Sequence, residues 1–175
     1  ATLGTVQLEA VVQTGAVIPV ALLALAGLTK SAQLPFSSWL LGAMVAPTPS
    51  SALLHSATMV KAGVFLLIRP SSVLAGSMTG QMVSLIGGFT FIAASMMAIA
   101  QNDGKKVMAF SKVSNLGLIV ACAGLGAEEP IWAALPLIIL HSVSKSMILQ
   151  AVRSVENSLG ARDIENLHGI LLRLP

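Results

Sequence analysis

Lysine and histidine can take up and release protons, and this sequence puts five of them where a proton carrier would have to work. Lys30, His55 and Lys61 lie within KSAQLPFSSWLLGAMVAPTPSSALLHSATMVKAGVFLLIR, residues 30–69, and His141 and Lys145 lie in a later apolar run. A lysine near the centre of a transmembrane helix costs about 2.5–3.5 kcal/mol on insertion scales, so a chain that keeps several is expected to use them to move charge. Histidine, at about 6.5 in water, titrates near neutrality unaided. Lysine, at about 10.4, comes into range only where burial disfavours the charged form, by up to about 3–5 units. A shift of about 3 units is worth about 4 kcal/mol, close to the insertion penalty, so the energy that makes burial costly also makes the proton releasable. Neighbouring lysines repel, and a charge arriving on one can expel the proton from the next.

The elements that must hold these groups are membrane helices. Of 175 residues, 55% are hydrophobic and 10% charged, where a soluble domain has about 25% charged; the mean hydropathy is +0.85. The net charge of +3 does not indicate nucleic acid, because ten basic residues are scattered between apolar spans and there is no Tyr to stack bases. A positive-inside bias accounts for the basic balance. The sequence has no Cys/His cluster at metal spacing, no phosphate-binding glycine loop, and no nucleophile with a base nearby. No cofactor, metal or catalytic residue is therefore expected in this chain. Gly87 and Gly88 sit in a charge-free run, Cys122 reads as a small core residue, and His168 reads as a surface side chain.

In chain order, residues 1–13 form a lead carrying Glu9, and TGAVIPVALLALAGLT at 14–29 begins a helix ending at Lys30. That run is shorter than the roughly 20 residues a bilayer needs. A break at Ser31–Pro35 and a half-helix to Met44 complete a discontinuous span over 14–44. VAPTPS at 45–50 is a turn, with Ser50 and Ser51 available as caps. The second span, 51–69, carries His55 and Lys61 six residues apart, on different faces. After a loop at 70–80, the third span, 81–101, has no charge; Gly87, Gly88, Ala93, Ala94 and Ser95 predict close helix contact there. The fourth span, 105–125, opens with Lys105 and Lys106, read as snorkelling to headgroups, while Lys112 lies two turns deeper and is a possible relay group. GAEEP precedes a fifth span, 130–158, on which His141 and Lys145 share a face. Residues 159–175 read as a cytoplasmic linker, on the same basic side as the 102–106 turn. The expected fold is all-α and integral to the membrane, with about five transmembrane helices.

KSAQLPF, the tryptophan of SSWL, APTPSSALLHSATMV and KAGVFLL occur here in order, followed by QNDGKKVMAFSKVSNLG at 101–117 and HSVSKSM at 141–147. In this the chain resembles the proton-conducting, antiporter-like membrane subunits of respiratory complex I, multisubunit sodium/proton antiporters and energy-converting hydrogenases. The resemblance implies an inverted-repeat antiporter-like fold in a prokaryotic cytoplasmic membrane. Lys30 matches the lysine at the family's first broken helix, Lys61 the lysine on the next helix, and His55 the histidine of its LIH or LLH turn. His141 and Lys145 fall along the central polar axis. The implied function is proton translocation within a redox-driven complex of hydrogenase or NADH–quinone oxidoreductase type, with sodium/proton exchange in a multisubunit antiporter as the alternative and a purely structural scaffold as a third reading. RDIENL at 162–167 and KVSNLG lean toward the hydrogenase branch. The implied partners are other membrane subunits, a peripheral redox arm and lipid, and the implied cargo is protons, with sodium as the other candidate ion. The family's upstream glutamate and its later terminal lysine or glutamate are not within these residues, so the chain is expected to hold the middle of a translocation unit.

Overall fold

A computed structural model describes residues 17–43 and 58–159. His55, the 45–50 turn, Ser50, Ser51 and the segment carrying His168 lie outside the described residues. Seven helices are described: α1 Val17–Lys30, α2 Ser38–Gly42, α3 Met59–Ile68, α4 Ser71–Leu74, α5 Met78–Ile99, α6 Gly104–Leu125 and α7 Glu128–Leu159. The described residues contain no strand. The three helices α5, α6 and α7 are long and apolar enough to cross a membrane, and α1 and α3 are shorter apolar helices.

The helix that begins at Val17 stops where the sequence stops supporting it. Leu34 precedes a proline and is pushed away from helical backbone, and Pro35 has no N–H to continue the ladder. The chain leaves α1 through a Schellman turn: the Gln33 N–H reaches the Leu28 carbonyl at 3.1 Å and the Ala32 N–H the Thr29 carbonyl at 3.2 Å. Ala32 takes the left-handed position that glycine usually fills, with φ 55°. Other groups in the break also find partners. The Leu34 N–H donates to Thr90 Oγ1 of α5 at 3.2 Å, Trp39 Nε1 donates to the Thr29 carbonyl at 3.2 Å, and the Ser31 hydroxyl donates to the Gly27 carbonyl at 2.7 Å. Irregular backbone at membrane depth needs such protein partners, because lipid supplies none.

A polar residue opens each of the next two helices. Ser77 caps α5 by accepting from the Gly80 N–H at 3.0 Å, so this helix starts three residues before its apolar run and the preceding loop holds the single turn α4. Asp103 caps α6 by accepting from the Lys105 N–H at 2.8 Å, and α6 ends at Gly126 with φ 67°. In α7, Glu128 and Glu129 occupy the first turn, where carboxylates complement the helix dipole.

The tightest packing joins α5 to α6. A Cβ added at Gly87 would lie 2.7 Å from the Gly117 carbonyl oxygen, and one at Gly117 would lie 2.7 Å from that of Gly87; Gly80 and Gly124 repeat the relation at 2.8 Å each way. The two glycine pairs are seven residues apart on both helices, so backbones touch over two consecutive heptads. Gly88, adjacent in sequence, faces open space. The outer face of α5 exposes Met82, Leu85, Phe89 and Ile92, whereas α6 buries Val113, Leu116, Ile119, Val120 and Ala123 completely. Helix α6 is therefore the centre of the bundle, with α5 on one side and α3 and α7 on others.

Lys105 differs from its sequence reading. It forms an ion pair with Glu156 of α7 at 2.7 Å, both side chains being largely covered. The contact also brings the 102–106 turn and the last turns of α7 to the same end of the bundle.

Candidate functional site

Three helices deliver basic side chains to the interior. From α3 comes Lys61, 8% exposed, whose Nζ donates to the Ile138 carbonyl of α7 at 2.7 Å. The Ser142 hydroxyl donates to the same carbonyl at 2.9 Å. From α7 come His141 and Lys145. His141 is buried, and neither ring nitrogen has a hydrogen-bond partner among the described residues. Lys145 Nζ donates to the Ser111 hydroxyl of α6. From α6 comes Lys112, with no exposed surface and with its Nζ unpartnered among the described residues. His141 lies within electrostatic reach of Lys61, Lys112 and Lys145, so these four groups form one cluster.

Helix geometry explains why they meet. His141 and Lys145 are one turn apart on α7, and Ile138 is three residues before His141, so one stripe of α7 carries an acceptor, an imidazole and an ammonium in succession. Lys112 and Ser111 are adjacent on α6, one carrying an amine into the interior and the other the hydroxyl that Lys145 uses. Among the described residues the carboxylates are Asp103, Glu128, Glu129 and Glu156, all at helix ends. The interior cluster therefore has basic and hydroxyl groups and no acid among the described residues.

Lys30 stands apart from this cluster. It ends α1 with an exposed side chain, and its backbone passes close to α3: a Cβ on Gly63 would come within 3.0 Å of the Lys30 carbonyl carbon. Beside it the break buries Gln33 completely, its Nε2 donating to the Ser31 carbonyl at 3.1 Å and its Oε1 unpartnered among the described residues. Ser111, Thr90 and Gln33 escaped the sequence reading. Ser111 was legible as one of a bunched set with Ser114 and Asn115 inside an apolar span. Thr90 is one of four hydroxyl side chains on a charge-free helix, with Thr79, Ser84 and Ser95, and nothing in the sequence sets it apart from them.

Comparison with known proteins identifies the architecture. The family model for the transmembrane region of NADH:quinone oxidoreductase and Mrp antiporter proteins matches residues 2–175. The chain belongs to this family. A probable K+/H+ antiporter subunit of Rhizobium meliloti is 41% identical over 98% of the chain and 18% of its own length, and an Na+/H+ antiporter subunit of Bacillus subtilis is 42% identical over 90% of the chain and 21% of its own length. The chain thus spans about a fifth of these relatives. Among solved structures, the Mrp complex from Dietzia sp. matches with a TM-score of 0.79 at 35% identity, over 93% of this chain and 18% of that one. An archaeal respiratory complex, the membrane-bound sulfane sulfur reductase, shares the fold with a TM-score of 0.74 at 24% identity, over 87% of this chain and 32% of that one. The chain is antiporter-like, all-α and integral to the membrane, with its first helix broken.

Proposed function

We propose that this chain is the central part of an ion-translocating subunit that passes protons along Lys61, His141 and Lys145, with Lys30 and His55 extending the path as the family resemblance implies. One observation carries the reading: basic side chains from three helices converge in the interior, while the carboxylates of the described residues stay at helix ends. A structural ion-pair network needs both signs, and buried charges left unpaired are costly. A set of groups that pass a proton onward need not hold all its charges at once.

The geometry supports a sequence of steps. Lys61, held on the Ile138 carbonyl, sits one turn of α7 from His141. A proton on His141 raises the potential at Lys145 in the next turn, and the Ser111 hydroxyl holds the Lys145 ammonium until its proton leaves. Repulsion between like charges then supplies the drive from each group to the next.

Of the two settings open to such a subunit, the relatives weigh toward exchange. The Rhizobium and Bacillus relatives are antiporter subunits named for K+ and Na+, so proton exchange against a monovalent cation within a multisubunit membrane assembly is the leading reading. Placement beside a peripheral redox arm is the second reading, supported by the RDIENL and KVSNLG stretches.

The test uses the full-length subunit in its native complex, in everted membrane vesicles with a dye reporting internal pH. Sodium and, separately, potassium are added. Lys61→Ala and Lys145→Ala are expected to cut exchange at least tenfold while a blue-native gel shows the complex intact. Normal exchange in both variants would end the relay assignment. Copurification of a hydrogenase or quinone-reducing arm, with no response to either cation, would favour the redox setting.

A further inference from the structure

We propose that Lys112 is itself a proton-carrying group, and that it shares one proton with Lys145, so that the path crosses between α6 and α7 at this level. The inference rests on the relay reading above. Lys112 is the largest fully buried side chain among the described residues. Its Nζ has no hydrogen-bond partner among them, although Ser111 beside it holds Lys145. Lys112 lies within electrostatic reach of Lys145, and His141 within reach of both.

The surroundings exclude a counter-charge among the described residues. Helix α5, packed along one side of α6, has no charged residue, and α3 contributes only Lys61 to the interior. Helix α7 contributes His141 and Lys145, and its own acids are at its two ends. A permanent ammonium in such a place would be an uncompensated buried charge, which the fold would hold at a considerable cost. A leucine of similar volume would serve packing better. Lysine at this position is explained when its charge is present for part of the cycle only.

The step balances simply. An N–H bond of the Lys145 ammonium breaks and one forms on the Lys112 amine; Lys145 becomes the amine and Lys112 the ammonium, and the total charge of the pair is unchanged. The Ser111 hydroxyl, released by Lys145, is then free to accept from the next proton to arrive there. Lys112 thus gives the relay a place to put one proton while Lys145 is reloaded from His141.

The test again uses the full-length subunit in its complex, in the same vesicles with sodium or potassium. Lys112→Leu and Lys112→Met are expected to assemble as well as the parent or better, and to lose at least tenfold in exchange per assembled complex. Lys112→Arg keeps the charge but does not release a proton under these conditions, and is expected to lose exchange equally. Lys106→Ala, an exposed lysine on the same helix, should exchange normally. Full exchange in Lys112→Leu or Lys112→Met, or recovery in Lys112→Arg, would overturn the proposal, the last by showing a fixed charge to be enough. Failure of both apolar variants to assemble would also overturn it, because it would reveal an obligatory partner for the ammonium. Lys61→Ala and Lys145→Ala run in parallel: if they too exchange normally, the relay reading itself has failed, whereas if they are inactive and Lys112→Leu is active, only this inference has.

Discussion

The two sides of α6 solve opposite problems. Toward α5 the helix presents Gly117 and Gly124, and backbone meets backbone with no room for a methyl group. Toward α3 and α7 it presents Lys112 and Ser111, long or polar groups facing Lys61, His141 and Lys145. The first side gains from contact that cannot be adjusted; the second holds groups whose charge and hydrogen bonds must change for the proposed transfer to occur. A moving charge needs fixed distances around it, and the glycine-packed side supplies a rigid wall for the polar one. On the proposed function, a charge-free helix such as α5 would serve proton transfer by immobilising its neighbour.

The sharpest way to break the contrast is to force the wall apart. Gly117→Val would drive side-chain atoms into the Gly87 carbonyl and the Phe91 backbone N–H, each 2.7 Å from the first added carbon. Because backbone cannot give way as a side chain does, the cost should reach or exceed about 3 kcal/mol, seen as loss of the intact complex on a blue-native gel. Gly88→Ala, facing open space, should assemble normally.

Next in size is the tie between the wall and the break. Thr90→Val removes the acceptor of the Leu34 N–H and leaves a covered donor unpaired, at a cost of about 1–3 kcal/mol, readable as a lower thermal unfolding midpoint in detergent. On the polar side, Ser111→Ala takes away the Lys145 acceptor. Stability should fall by no more than Thr90→Val costs, about 1–3 kcal/mol, whereas exchange should fall several-fold; unchanged exchange would show the hydroxyl to be incidental. The smallest effect is expected from Lys105→Ala. Its largely covered pair with Glu156 lies near the bundle end, away from the basic cluster, so exchange should be normal and the loss of stability should be the smallest of the four, read as the shift in unfolding midpoint.

What could be read from the sequence divides along the same line. Proline and lysine are conspicuous in apolar sequence, so the break after Lys30 and the basic character of the interior were open to inspection. The starts of α6 and α7 were legible too, because hydropathy changes sharply at Asn102 and at Glu128. Contacts were not. Gly87 and Gly88 read alike in sequence, yet only Gly87 faces a partner, since adjacent residues point about 100° apart on a helix. The seven-residue repeat of Gly80 with Gly87 and of Gly117 with Gly124 was present all along, and it gains meaning only once α5 and α6 are known to be neighbours. Lys112 was ambiguous for a related reason: depth along a helix can be counted from its start, but burial depends on which elements close over it. Lys105 read as a headgroup anchor because its partner, Glu156, is distant in sequence and belongs to the end of another helix.

The Leu34–Thr90 hydrogen bond has a consequence for solvent exchange. Leu34 follows α1 in sequence, yet its amide hydrogen is held by a side chain of α5, and α5 is locked to α6 through glycine. Deuterium should therefore reach the Leu34 amide at the pace set by the opening of α5 and α6, later than it reaches the nearby turn amides of α1. The amide protection pattern would then assign the break to the rigid half of the bundle, although the chain order assigns it to the first helix.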